Sequence, residues 1–171
     1  MMPSMYPPEA VQPMRDELTS VGFEELKTPE DVDRVVKETK GTVLCVINSV
    51  CGCAAGSARP GIGLALQHTV IPDRLVTVFA GMEREAVDRV RELHAGAAAP
   101  SSPSVVLFKD GKVAGMLERS HIERRAPQEI AKMLVGAFDQ LCTRPGPSIP
   151  PETFAKLEHL KICGSSIPRM G

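Results

Sequence analysis

The chain has 171 residues, of which 43% are hydrophobic and 24% charged, enough to bury one sizeable core and short for two full domains. Its 20 basic and 21 acidic residues leave a formal net charge of -1, so no global field draws nucleic acid or an anionic membrane, and partners must be recognised locally. No apolar run approaches the ~20 residues that span a bilayer, and the start MMPSMYPPEA lacks the basic-then-apolar layout of a signal peptide. The expected compartment is therefore the cytoplasm.

In chain order, Pro8 to Val21 carries Val11, Met14, Leu18 and Val21 at helical spacing, which predicts an N-terminal helical extension despite Pro13. Thr28 precedes Pro29, with Asp31 three residues on and Val32, Val35 and Val36 behind it, the pattern of an N-capped helix ending near Gly41. Thr42 to Val50, TVLCVINSV, is a short apolar run rich in β-branched residues, as a strand covered on both faces requires. Beyond the next two cysteines, Ile62, Leu64 and Leu66 predict a helix to about His68, and Leu75 to Ala80 is a further apolar strand. Glu83 to His94 is amphipathic, with an acidic start and basic later turns that suit the helix dipole. SVVLFKDGKVAGMLE places two strands around Asp110-Gly111, a hairpin signal.

Ala126 to Cys142 is a second amphipathic helix with Pro127 in its first turn. RPGPSIPP, from Arg144, reads as a stiff proline-rich linker, and Glu152 to Leu160 as a last short helix before the tail ICGSSIPRMG. This order predicts an α/β fold, a mixed sheet flanked by helices on both faces, in a domain of residues 1–143 followed by a linker and C-terminal extension, 144–171.

Five cysteines, an odd number in a chain expected in a reducing compartment, argue for reactive, ligating or merely buried thiols rather than a disulfide framework. Cys51 and Cys53 stand where the central strand meets its following helix, and in such sheets ligands gather beyond the carboxyl ends of strands. A helix N-terminus favours the thiolate, the form that reacts. Near pH ~7.5 a thiol of pKa ~8.5 is about a tenth ionised, and one of pKa ~7 about three quarters. Cys51, ending the strand, is the exposed nucleophile in this reading. A disulfide to Cys53 closes a small ring only with distortion that Gly52 eases, so the bond suits exchange better than permanent crosslinking. Two other readings stand beside it: ordinary small apolar residues, or a metal site joined by His68 or His121, although a closed site takes four ligands and no second close pair exists.

Cys45 reads as strand packing. Cys142, closing a helix, reads as packing first and a resolving thiol second, and Cys163 in the tail as either, with the redox reading requiring the tail to fold over the pair. Ser102-Pro103 precedes a strand, an ordinary place for proline; the other reading is a cis bond whose backbone lies beside the thiols and binds substrate. Arg59, Arg119, His121, Arg124 and Arg125 read as solvated surface charges, one or two of which would suit an anionic thiol substrate, with Arg59 the candidate contact.

Taken together, NSVCGCAAGSARP, LVTVFAG, SSPSVVLFKDG, HIERR and the helix ending AFDQLC resemble the bacilliredoxin family, thioredoxin-like proteins with a C-x-C active site. The likeness runs from Pro8 to Cys142, and the tail from Arg144 to Gly171 departs from it. The resemblance implies a thioredoxin-like fold and a thiol-disulfide oxidoreductase that removes bacillithiol, a low-molecular-weight thiol carrying glucosamine and malate, from mixed disulfides on cytoplasmic proteins. It implies that Cys51 attacks, that Cys53 is the second thiol, and that Ser102 and Pro103 form the proline loop facing them. The implied partners are bacillithiolated client proteins, bacillithiol itself as a thiol substrate, and a flavoprotein disulfide reductase that regenerates the thiol pool; no cofactor of its own is required. The alternatives are a general protein dithiol oxidoreductase or disulfide isomerase, and a non-catalytic metal-binding or thiol-sensing module.

Overall fold

The computed structural model describes residues 2–157. Helix α1 (Pro8–Thr19) opens on a proline, whose missing N–H falls in the first turn where backbone donors have no helical partner anyway. A two-residue strand β1 (Glu24–Glu25) follows. The Thr28 hydroxyl accepts the Asp31 N–H at 3.1 Å and caps α2 (Pro29–Val32), which runs on as a π-helical turn over Asp33–Lys37. Strand β2 (Thr42–Asn48) is buried at every position. A helical run begins at Gly52, passes through a π-helical turn, Ala54–Ala58, and becomes α3 (Arg59–Ala65). There follow β3 (Val70–Ile71), β4 (Arg74–Phe79), α4 (Arg84–His94), β5 (Ser104–Lys109), β6 (Lys112–Leu117), α5 (Arg119–Ile122), α6 (Pro127–Leu141), β7 (Arg144–Pro145) and α7 (Pro151–Ala155).

Five strands make one sheet in the order β1-β4-β2-β5-β6. β1, β4 and β2 are mutually parallel, while β5 runs antiparallel to β2 and β6 antiparallel to β5. That order and those directions, with helices on both faces, make the fold thioredoxin-like. The two-residue period of a strand divides β2 between two cores. Leu44 and Val46 join Ile62 of α3 and Ile130 and Phe138 of α6, with Leu18 of α1 on the same side. Val43, Cys45 and Ile47 join Val35, Val36, Val87 and Val90 on the side of α2 and α4. Both faces being covered explains why TVLCVIN shows no polar alternation.

The hairpin turn has both central residues at positive φ, 52° at Asp110 and 80° at Gly111, as a type I′ turn demands. Gly111 is needed for space as well, since a Cβ there would lie 2.6 Å from the Lys37 carbonyl oxygen.

Several boundaries differ from the sequence reading. The helix after Thr28 ends at Lys37, short of Gly41, whose φ of 107° belongs to the turn into β2. β1 went unanticipated because two adjacent glutamates on an outer strand carry no apolar signal. RPGPSIPP is not a free spacer, and the linker reading is corrected. β7 pairs antiparallel with β3, the Gly146 N–H donates to the Thr69 carbonyl at 2.9 Å, and Ser148 donates through its N–H to Leu66 (2.9 Å) and through its hydroxyl to Val21 (2.7 Å). Its backbone polar groups find partners on the body, so the segment is stitched down. The helix expected over 152–160 is observed as α7, which ends at Ala155, with Lys156 as its C-cap; residues 158–160 lie outside the described part. Among the described residues no helix is long and apolar enough to cross a membrane.

Candidate active site

β2 carries the chain through Asn48, Ser49 and Val50 to Cys51, after which the helix begins. The Ala54 and Ala55 N–H groups donate to the Cys51 carbonyl at 3.1 and 3.3 Å, which places Cys51 at the head of the helical run. Both thiols are free and half-buried, and their Sγ atoms lie 2.9 Å apart. No side chain crowds them from Gly52: it is exposed, and a Cβ there would meet nothing within 4 Å.

The two sulfurs are driven in opposite directions. Burial pushes the Cys51 thiol up, but hydrogen bonds from the Cys53 thiol, the Ala54 N–H, the Ser49 hydroxyl and the Cys53 N–H outweigh it and hold Cys51 below the ordinary thiol value. Burial, then the hydrogen bond and charge of Cys51, push Cys53 up to about 11, with the Arg119 guanidinium opposing and Glu123 adding. The arrangement therefore favours a Cys51 thiolate that receives a hydrogen bond from a proton-bearing Cys53. The alkylation rate of Cys51, followed by peptide mass spectrometry against pH, is expected to fall as pH drops through a midpoint below ~8.5, the unperturbed thiol value. Cys53 should alkylate only under strongly alkaline conditions. A Cys51 midpoint at or above ~8.5 contradicts the activation.

The Ser102-Pro103 bond is cis. Ser104 pairs with Ile47, so the preceding proline lies at the carboxyl end of β2, the end that leads to Cys51. Arg119, at the start of α5, holds this loop: its Nη1 donates to the Ser102 carbonyl at 3.2 Å and its backbone N–H to the Ser101 hydroxyl at 3.2 Å. Its Nε donates to Glu123 at 3.2 Å, and its charge is felt at Cys53. The half-exposed cation beside the thiols is thus Arg119.

Arg59 is a correction. It is only 2% exposed, neither solvated nor facing a substrate, because the face of α3 that carries it packs toward α1. Its Nη1 donates to Asn48 Oδ1 (3.0 Å) and to the Ser49 carbonyl (2.8 Å), and its Nε lies 3.2 Å from Glu17 Oε1.

Cys45 is wholly buried in mid-strand, and burial pushes its thiol up to about 12. Cys142 is not brought to the pair. Burial pushes its thiol up against the influence of the Thr42 hydroxyl, and Thr42 is the first residue of β2, about 20 Å along the strand from the cysteine end. Cys163 lies outside the described residues. His68 Nε2 is 2.7 Å from Asp139, and His121 Nδ1 accepts the Glu118 N–H at 3.0 Å. Among the described residues neither histidine joins the cysteines in a metal-ligating cluster. Asn48, Ser49 and Glu17 went unremarked in the sequence, although Asn48 and Ser49 are the first polar residues after the apolar run of β2 and both are buried.

A family model described as disulphide isomerase matches residues 6–142. A bacilliredoxin of Koribacter versatilis is 49% identical over 138 residues, 81% of this chain and 94% of the relative. A bacilliredoxin of Staphylococcus aureus matches with the same identity and coverage. Mitochondrial thioredoxin 3 of Saccharomyces cerevisiae, in its oxidised form, aligns over 73% of this chain and 99% of its own with a TM-score of 0.46 and 16% identity.

Proposed function

This chain belongs to the bacilliredoxin family and is a thiol-disulfide oxidoreductase, and from that premise we propose that it removes bacillithiol from mixed disulfides on cytoplasmic client proteins through Cys51 and Cys53. The observation that carries the reading is the pair of thiols 2.9 Å apart with opposite proton affinities, one favouring the thiolate and one the thiol. The Cys51 thiolate attacks the bacillithiol sulfur of the mixed disulfide; the client thiolate leaves and takes up a proton, and Cys51 keeps bacillithiol as a new mixed disulfide. Cys53, once deprotonated, displaces bacillithiol as a thiol and leaves a Cys51–Cys53 disulfide; alternatively a second bacillithiol attacks directly and departs as bacillithiol disulfide. A flavoprotein disulfide reductase supplies the electrons that return the pool to thiol. The exchange itself takes no prosthetic group.

Arg119 is the cation of this site that a malate carboxylate would meet, alongside the backbone of the Ser102-Pro103 loop. The test compares exchange rates for one client carrying bacillithiol or glutathione. Bacillithiol should be preferred by about tenfold or more, ~1.4 kcal/mol, and Arg119→Gln should raise KM for the bacillithiolated client several-fold. Equal rates with both adducts would make the protein a general dithiol oxidoreductase.

A further inference from the structure

We propose that Arg59 and Glu17 are positioning residues, which act through Asn48 to fix Ser49 against the nucleophilic cysteine and so set the reactivity of Cys51. The inference rests on reading Cys51 as the attacking thiol.

Arg59 is an expensive feature. A guanidinium 2% exposed has lost its water, and its partners satisfy it incompletely. Nη1 has two acceptors, but Nε, although within ion-pair distance of Glu17 at 3.2 Å, has no well-aligned hydrogen bond. An apolar side chain of similar volume is often neutral or stabilising at such a place. Packing therefore gives no reason for a charge here, and its contacts supply one.

Both hydrogen bonds of Nη1 converge on the segment that leads into the site, while the ion pair ties the guanidinium to α1. The Ser49 peptide is pinned from both sides, its carbonyl accepting Arg59 Nη1 at 2.8 Å and its N–H donating to Asn48 Oδ1 at 2.8 Å. Asn48 Oδ1 also accepts Arg59 Nη1 at 3.0 Å, while Asn48 Nδ2 donates to the Met14 carbonyl of α1 at 3.2 Å. Glu17, on the same helix, faces Arg59 from the other end. Ser49 so held accepts the Cys51 N–H on its hydroxyl oxygen at 3.2 Å, and the same hydroxyl is one of the donors that favour the Cys51 thiolate. The chain of contacts runs from α1 through Arg59 and Asn48 to Ser49 and ends on the backbone N–H of Cys51. It also needs the fork of an arginine, since one nitrogen serves two acceptors while another faces Glu17.

The test uses the full chain and the variants Ser49→Ala, Arg59→Met, Arg59→Lys, Glu17→Gln and the double variant Ser49→Ala/Arg59→Met. Each is scored by the pH midpoint of Cys51 alkylation with iodoacetamide and, separately, by thermal unfolding. Ser49→Ala should raise the midpoint by about 0.5 of a pH unit or more, a roughly three-fold loss of thiolate well below it. Arg59→Met and Arg59→Lys should shift it the same way, Glu17→Gln less so, and the double variant no further than Ser49→Ala alone, because one route is being broken twice. Arginine variants that unfold earlier but keep the wild-type midpoint would overturn the proposal, as would additive shifts. If Arg59→Met does not fold, Arg59→Lys and Glu17→Gln decide the matter by the same midpoint. Alkylation involves no bacillithiol, so a wild-type protein unable to transfer bacillithiol counts against the proposed function and not against this inference.

Discussion

Cys51→Ser is expected to abolish bacillithiol transfer, leaving only the uncatalysed exchange between client and free thiol. The side chain loses both properties that the proposed cycle requires: a hydroxyl is not ionised at neutral pH, and its oxygen cannot form the mixed disulfide on which that cycle holds bacillithiol between half-reactions. The four hydrogen bonds that favour the Cys51 thiolate have no equivalent charge to act on in the variant. Stability should change little, because the thiol is half-buried and serine is close to it in volume. Intact-mass measurement after mixing with a bacillithiolated client reads the result: no adduct on the variant, and client left modified. An adduct gained at wild-type rate would place the nucleophile elsewhere.

Cys53→Ser is expected to do the opposite, accumulating an adduct of nearly one bacillithiol per chain on Cys51 when free thiol is scarce. A serine hydroxyl can still donate toward Cys51, so the thiolate keeps a donor at that position and the first attack survives. What disappears is the internal displacement. Burial first, and then the hydrogen bond and charge of Cys51, push Cys53 up to about 11; the part owed to Cys51 vanishes once Cys51 is in a mixed disulfide, while the part owed to burial stays. In the proposed cycle the attack on the mixed disulfide thereby eases the deprotonation of Cys53 that the internal displacement needs. Supplying free bacillithiol should clear the adduct from the variant. Wild-type turnover without free thiol, and no adduct on the variant, would deny Cys53 the resolving role.

Much of the frame was legible because two physical signals are local. The apolar run over Thr42–Asn48, the Asp110-Gly111 turn and the amphipathic stripes of α4 and α6 each follow from side-chain period or backbone φ, so sequence spacing alone exposes them. The cysteine pair and the Ser102-Pro103 loop were legible as candidates for the same reason. Arg59 was not. Its sequence neighbours suggest a surface charge, and only the approach of α1, more than 40 residues earlier, turns it into a buried clamp. Arg119 was likewise one of several arginines until the α5 start brought it onto the Ser102 carbonyl. Cys142 fell short as an accessory thiol because a helix period says nothing about which end of the sheet its last residue reaches.

The stitched-down segment after α6 has a corollary for how such a protein can diverge. β7 and Ser148 fasten to Val70–Ile71, Leu66 and Val21, at the pole of the sheet where β2 begins, whereas the thiols lie at the pole beyond its end. Drift in sequence or length there is felt first as grip on the body, and the geometry of sulfur exchange is shielded from it by the whole length of the central strand. A change in this segment is therefore expected to alter its attachment to the body before it alters the sulfur pair at the opposite pole.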